Sequence, residues 1–394
     1  MIEVAKSGEG SGTSTPTWRV AHQLRQREVL PAGPTVVSST GPYGVGGLGR
    51  HLAELVEVLR DSDRLAGYLS PLPRPEDVGL TATTVDVPAI AHVAQQIPPV
   101  RFSLGLRTRI GGLAFDAAAS ARLPKAKHLL VFNGHASRHI GKARRLSYQS
   151  VGLVSANSHL VSEARRHRDA YRQYPIERPW GPSLVRTNLA EYETADLVYV
   201  SSRYAWESFV DQGYPEDRLR FFPLTPHDRY NASVRTREVS TFNVVYVGSL
   251  SVHKGVPLLV DAVRRLPYDD LRLTLVGGWG TRGMRRFIEV ACAGDPRIDV
   301  RPGDPLPHLA GASLCVHPSY ADGFGYAPAE ALACGVPVVV SEDTGMKELV
   351  RPGVDGWVVP TGDLDALTET IDSIYLGAAQ LHRRERSQGG EERK

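Results

Sequence analysis

From Thr35 onward, short runs of β-branched and apolar residues alternate with stretches whose apolar positions recur at helical spacing. Thr35–Ser39, His128–Phe132, Gly152–Ala156 and Asp196–Ser201 read as strands. Among the intervening segments, Leu48–Leu59 carries apolar residues at 48, 52, 55, 56 and 59, the stripe of an amphipathic helix. Such alternation predicts parallel sheets covered by helices on both faces. The pattern breaks near 223–240, with Pro223, Pro226 and a polar run, and restarts at Asn243–Gly248. Leu271–Val276, Ser313–His317, Val336–Ser341 and Gly356–Val359 continue it. The expected organisation is a flexible tail over 1–34, where Gly, Ser, Thr and Pro dominate the start, then an α/β domain over 35–225. A linker over 226–240, a second α/β domain over 241–380 and a polar tail over 381–394 complete it.

Composition changes this picture little. With 394 residues the chain is long for one core, which agrees with two domains. The longest apolar stretches, such as Val336–Val340, are far too short to span a bilayer, and no secretory leader opens the sequence. The three cysteines, Cys292, Cys315 and Cys334, lack metal-ligand spacing. A reduced, cytoplasmic compartment is the expectation. Charge is more informative. Arg101–Ala190 holds 16 Lys and Arg against 4 Asp and Glu, although the whole chain is only +3. That stretch is basic enough to draw anionic partners, or it is a set of solvated helix faces.

Two loops of the second half carry candidate chemistry. Val247-Gly-Ser-Leu-Ser-Val-His-Lys-Gly255 lies between a strand and a helix starting near Val256. Gly248 lets the backbone approach a ligand, the helix N-terminus favours negative charge, and Lys254 adds a full positive charge where a diphosphate would sit. The spacing is not that of a Walker loop, and taken alone the segment is also an ordinary strand-to-helix turn with a surface lysine. The second loop is His317-Pro-Ser-Tyr-Ala-Asp-Gly-Phe-Gly-Tyr-Ala-Pro-Ala-Glu-Ala-Leu-Ala-Cys-Gly-Val-Pro-Val-Val-Val-Ser341. Asp322 and Glu330 are separated by seven other residues, with the Gly323-Phe324-Gly325 turn exposing backbone amides between them. The spacing puts the two carboxylates on one face.

This second loop resembles the signature of the retaining, family-four glycosyltransferases (glycosyl transferases group 1), and Asp343–Asp363 extends the match. The resemblance implies a GT-B fold, two Rossmann-like domains with parallel sheets facing each other across a cleft that closes over the substrates. The implied reaction moves a sugar from a nucleoside-diphosphate donor to an acceptor, with the anomeric configuration retained. Glu330 would bind the ribose, Gly248 and Lys254 the diphosphate, and Asp322 with the Gly323, Phe324 and Gly325 turn the sugar hydroxyls or phosphate. This chain has Asp322 where the family usually has Glu, and Ser249 where it often has a basic residue.

In the first half, Ser39–His51 is glycine-rich, but no acidic residue follows on a second strand, so a dinucleotide reading is poor. It resembles the family's cleft-lining loop, carried by Gly46, Gly47 and Gly49. His135 and His159 each follow a strand. By the resemblance one such histidine approaches the donor sugar's hydroxyls; His159 fits that role and His135 is the second candidate. Ala190–Ala205 also resembles the family and reads as structural: a helix, a strand, then a helix start capped by Ser202. The acid pairs Asp61/Asp63 and Asp363/Asp365 are explained by helix ends, so no essential metal and no cofactor beyond the co-substrate are expected. The basic stretch, including Arg144, Arg145, Arg165, Arg166 and Arg168, suggests an acceptor that is phosphorylated or sits at an anionic membrane surface, with the protein peripheral to that membrane. Competing readings are a nucleotide-sugar epimerase or hydrolase, a sugar phosphorylase, and a non-catalytic sugar-nucleotide binder on the same scaffold.

Overall fold

A computed structural model describes residues 24–87, 93–94, 96–97, 100, 103–178, 182–236 and 241–391. These divide into two compact units. The first contains a seven-stranded sheet of β1 (Thr35–Ser38), β2 (Leu65–Ser70), β3 (Ala82–Thr84), β4 (His128–Phe132), β5 (Ser150–Val154), β6 (Leu197–Val200) and β7 (Leu219–Phe221). Its order is β3-β2-β1-β4-β5-β6-β7, with every pairing parallel. The second contains β8 (Phe242–Val247), β9 (Leu271–Val276), β10 (Ile298–Val300), β11 (Leu314–His317), β12 (Val338–Ser341) and β13 (Gly356–Val359), in the order β10-β9-β8-β11-β12-β13, again all parallel.

Each sheet is doubly wound, and its strand order reverses once: between β1 and β4 in the first unit, between β8 and β11 in the second. Loops diverge there beyond the carboxyl ends of the strands, which is where open parallel sheets place ligands. The strands read nearly continuously apolar because both faces are covered: Val36, Val37, Leu129, Leu130, Val151 and Leu153 are buried in one unit, Val244, Val245, Leu273, Leu314 and Val339 in the other.

The expected strands are present with ends shifted by up to two residues, and the helix read from Leu48 runs over Gly46–Arg60. β2, β3, β7 and β10 were not expected. The helix ends that explain the acid pairs are also there. Asp363 Oδ1 accepts from the Ala366 N–H (2.9 Å) ahead of the helix Leu364–Glu391, and Asp61 ends the helix Gly46–Arg60. Ser202 Oγ accepts from the Ala205 N–H at 3.0 Å.

Three domain expectations change. Residues 24–34 are not a loose tail: Leu30 is buried, and Gln26 donates to Glu54 (2.6 Å) and to the Pro223 carbonyl (2.7 Å). The expected tail over 1–23 lies outside the described residues, as do 237–240 of the expected linker and 392–394 at the end; the backbone of 381–391 continues the last helix. Third, residues 161–178 cluster with the second unit. Ala170 and Tyr171 are buried in that unit's core, with Tyr174 and Ile176 packed against it, and Tyr174 donates to Asp261 at 2.9 Å. Burial of those aromatic and branched side chains outweighs chain order. The basic stretch is therefore divided. Arg144 and Arg145 end the helix Ser137–Arg145 of the first unit, whereas Arg165, Arg166 and Arg168 lie on the helix Leu160–Gln173 that packs with the second.

Candidate active site

At the switch point of the second unit, the loops after β8 and β11 meet. The Gly248 N–H donates to the Val276 carbonyl at 2.9 Å, holding the first loop beside the end of β9. The loop then turns back to the β11 side, where the Tyr320 N–H donates to the His253 carbonyl at 2.9 Å. Gly255 closes it as N-cap of the helix Val256–Arg265, with φ of 74°. A Cβ there would lie 1.9 Å from the Pro318 carbonyl oxygen, so only glycine fits both the left-handed backbone and the contact. Gly255→Ala is expected to cost about 2–3 kcal/mol or more, read as a lowered melting temperature; an unchanged one would show that the loop is free to shift.

Three ionisable side chains converge here. Lys254 Nζ is 2.7 Å from Asp322 Oδ2, and His317 Nε2 is 3.0 Å from the same oxygen. Lys254 and Asp322 keep side-chain exposures of 20% and 16%, enough for a ligand to reach them. Burial alone would raise the Asp322 carboxyl, but the charge of Lys254 and the His317 hydrogen bond outweigh it and hold it well below the usual carboxylate range. The His317 ring stacks on buried Tyr246, centroids 6.1 Å apart. Asp322 is anchored through its backbone, its N–H donating to the Asp343 carbonyl (3.1 Å) and its carbonyl accepting from the Gly345 N–H (3.0 Å).

That anchoring corrects the expected placement of the two acids. Asp322 lies in an extended bridge to Thr344, whereas Glu330 is inside the helix Tyr326–Ala333, so they do not share a helix face. Glu330 is fully buried, and burial first, with the Glu330 charge second, pushes the neighbouring Cys315 thiol up to about 12. Between the acids, Gly323 leads to Phe324, buried and edge-on to Tyr326 (5.2 Å). Gly325, with φ of 92°, caps the helix.

The loop after β8 is braced by the inserted segment. Glu177 accepts from the Val252 N–H (2.9 Å), the Tyr171 hydroxyl lies 3.5 Å from His253 Nδ1, and Arg166 pairs with Asp343 at 2.8 Å. His317 and Glu177 were not singled out from sequence, and Arg166 was named only as part of the basic stretch. For His317 the signal was its position as the last residue of a buried strand.

The first unit has its own switch-point loops. Gly46 and Gly47 open the helix Gly46–Arg60, where a Cβ at either would meet nothing within 4 Å; Gly49, by contrast, is pressed against the Pro42 carbonyl. His135 follows β4, directly at the switch point. His159 follows β5, one strand away, with its ring against Tyr192 (5.1 Å) and Phe209 (4.9 Å) and its backbone N–H on Ser208 Oγ at 2.7 Å. Burial lowers His159 to about 4 and His135 to about 3. Among the described residues no group of three or more His, Cys, Asp or Glu is placed to hold a metal ion, and no helix is long and apolar enough to cross a membrane.

Residues 241–376 match the family described as glycosyl transferases group 1. The chain is 30% identical over 181 residues to a D-inositol 3-phosphate glycosyltransferase of Paenarthrobacter aurescens, covering 42% of this chain and 44% of that one. It is 33% identical over 200 residues to the O-antigen chain mannosyltransferase B of Escherichia coli, covering 45% and 51%. The matched part thus spans about half the length of these relatives. In fold the similarity extends further: a sucrose-phosphate synthase of Thermosynechococcus elongatus superposes with a TM-score of 0.65 at 20% identity, over 91% of this chain and 94% of that one. Anabaena HepE, solved with UDP and glucose, superposes with 0.61 at 15% identity, over 90% and 95%. The group 1 domain and the unit preceding it therefore have the GT-B, Rossmann-like fold.

Proposed function

We propose that the protein is a glycosyltransferase that moves a sugar from a nucleoside-diphosphate donor to an acceptor with retention of anomeric configuration. The observation that carries this reading is the Lys254–Asp322–His317 cluster at the switch point of a group 1 domain. Lys254 and the N-terminus of the helix Val256–Arg265 would neutralise the departing diphosphate, the charge such a transition state develops. Asp322, kept ionised, would accept hydrogen bonds from sugar hydroxyls, and Glu330 would meet the ribose. The family pattern assigns a sugar contact in the first unit to His159 or His135. No metal is required in this scheme, because protein groups supply the positive field. The relatives named for D-inositol 3-phosphate favour a phosphorylated acceptor over a membrane-bound one. A cytoplasmic location fits nucleotide-sugar chemistry.

A donor screen tests the reading. UDP-, GDP-, ADP- and TDP-sugars are incubated with the full-length protein, with and without EDTA, and nucleoside diphosphate release and melting temperature are followed. One donor is expected to be turned over equally with EDTA. At a hundredfold excess over Kd it should stabilise the fold by about 2.7 kcal/mol, with both effects lost in Glu330→Gln. Free sugar released without an acceptor would shift the assignment to a hydrolase or epimerase. No response to any donor would leave a non-catalytic scaffold.

A further inference from the structure

The stretch 161–178, which clusters with the second unit, lies against both loops that carry the Lys254–Asp322 pair. On the lysine side it meets the two residues that directly precede Lys254. The Val252 N–H donates to Glu177 (2.9 Å), the His253 ring packs on His167 with centroids 4.5 Å apart, and the Tyr171 hydroxyl lies 3.5 Å from His253 Nδ1. On the aspartate side, the hydroxyl of Tyr320, two residues before Asp322, donates to Gln173 Oε1. Arg166 pairs at 2.8 Å with Asp343, whose carbonyl accepts the Asp322 N–H at 3.1 Å. Each of these contacts falls within two residues of Lys254 or Asp322, or one hydrogen bond away from it.

The same stretch has a separate means of docking. Ala170 and Tyr171 are buried in the second core, Tyr174 and Ile176 pack against it, and Tyr174 donates to Asp261 on the helix Val256–Arg265. Arg166, Gln173 and Glu177 are polar and stand outside that apolar set, so the anchor does not account for where they point. Glu177 is only 5% exposed, and a buried carboxylate on a backbone N–H makes a charge-assisted bond that resists loosening. The stretch comes this close because the helix Arg282–Gly294 is cut back at its start. A Cβ on Gly283 would lie 2.6 Å from the Ile176 carbonyl oxygen. A displacement of about 1 Å in groups that receive a substrate is enough to cost on the order of 10²-fold.

We propose that Arg166, Gln173 and Glu177 are positioning residues of the donor site, which act through Asp343, Tyr320 and Val252 to hold Asp322 and Lys254 where a nucleoside diphosphate meets them. The inference rests on the glycosyltransferase reading. It assigns part of the donor site to a stretch of chain outside residues 241–376, the part that matches the family.

The test uses the full-length protein, titrated with UDP, GDP and ADP, with turnover of the corresponding sugar donors followed in parallel. Glu177→Ala and Arg166→Ala are each expected to weaken the Kd of the nucleoside diphosphate that binds, and the donor KM, by roughly tenfold or more. Glu177→Gln, whose amide oxygen still accepts from Val252, and Arg166→Lys, which keeps a charge on Asp343, should recover most of that loss. Tyr174→Phe, which removes the bond to Asp261, should lower the melting temperature and leave Kd unchanged. Wild-type Kd in both alanine variants would overturn the proposal. So would a loss of Kd that appears equally in Tyr174→Phe and follows melting temperature across the set, because that pattern marks a purely structural role. A wild-type protein that binds none of the three nucleoside diphosphates and turns over none of the donors would overturn the glycosyltransferase reading, and this proposal with it. Binding without turnover would remove the glycosyltransferase reading alone, and the Kd comparison would still decide whether these residues position the pair.

Discussion

Lys254→Ala is expected to lower kcat/KM for the donor by roughly 10²- to 10³-fold. Lys254 holds the only lysine or arginine charge paired with Asp322 among the described residues, and the loop that carries it is pinned on both sides. On the proposed reading, removing it deletes the field for a departing diphosphate; it also leaves Asp322, which is 16% exposed, with His317 as its remaining partner. Stripping one member from a largely buried pair costs up to about 3–5 kcal/mol when burial is complete. Here partial solvation reduces that to about 1–3 kcal/mol. Asp322→Asn separates the two effects. The amide oxygen still accepts from Lys254 and His317 but carries no charge, so melting temperature should fall less than in Lys254→Ala while turnover falls. The measurement pairs steady-state kinetics on the donor found by the screen with thermal melts. Wild-type turnover in Lys254→Ala would remove this residue from the mechanism.

The second large effect is on stability in mild acid. Burial lowers His51 and His135 to about 3, and His167, first through burial and then through His253 and Lys254, well below its ordinary value. All three are at most 5% exposed, with the His51 ring lying between Phe132 (5.1 Å) and Phe222 (6.0 Å). A group with a depressed native pKa resists protonation when folded and takes a proton when unfolded. Stability is therefore full above the unfolded value near 6.5 and is lost as pH falls from there towards about 3. Each such histidine removes about 2 kcal/mol by pH 5, so three together approach the whole stability of an ordinary domain. Urea melts at pH 7.5, 6 and 5 should show a steep fall over that window. His51→Phe, which keeps a ring and removes the proton site, should take about 2 kcal/mol out of the fall at pH 5. A flat profile in the wild type would mean that these rings find proton-accepting partners.

Much of the fold was legible because buried parallel strands must be apolar on both faces. Val-Val-Tyr-Val within β8 and Leu-Leu-Val-Phe within β4 have no other comfortable reading. The unexpected strands are those where that rule weakens. β3 and β10 are three-residue edge strands, and Asp299 sits in the middle of β10; β7 is equally short and holds Arg220. β2 is central but carries Gly67. The site was legible to the extent that chemistry follows chain order. Lys254 and Asp322 stood out in their loops, and the structure brings them to 2.7 Å. His317, Asp116, His139 and Glu191 were silent because their significance is tertiary. His317 carried only the weak mark of ending a buried strand, carboxylates inside helices carry none, and only the crossing of β1, β4 and the flanking helices makes Asp116 and Glu191 the clamps of the turn after β4.

The segment 161–178 carries a practical lesson for protein engineering. A cut at the 226–240 linker would suggest itself for exchanging donor specificity among relatives. It would strip the second core of Ala170 and Tyr171, and of Tyr174 and Ile176 packed against it, and would take Glu177 from the loop that carries Lys254. A transplanted C-terminal half would thus arrive with an exposed apolar scar and a slack loop after β8. A functional hybrid has to inherit two stretches of chain from the same parent, so natural recombination at a single crossover is disfavoured in this protein.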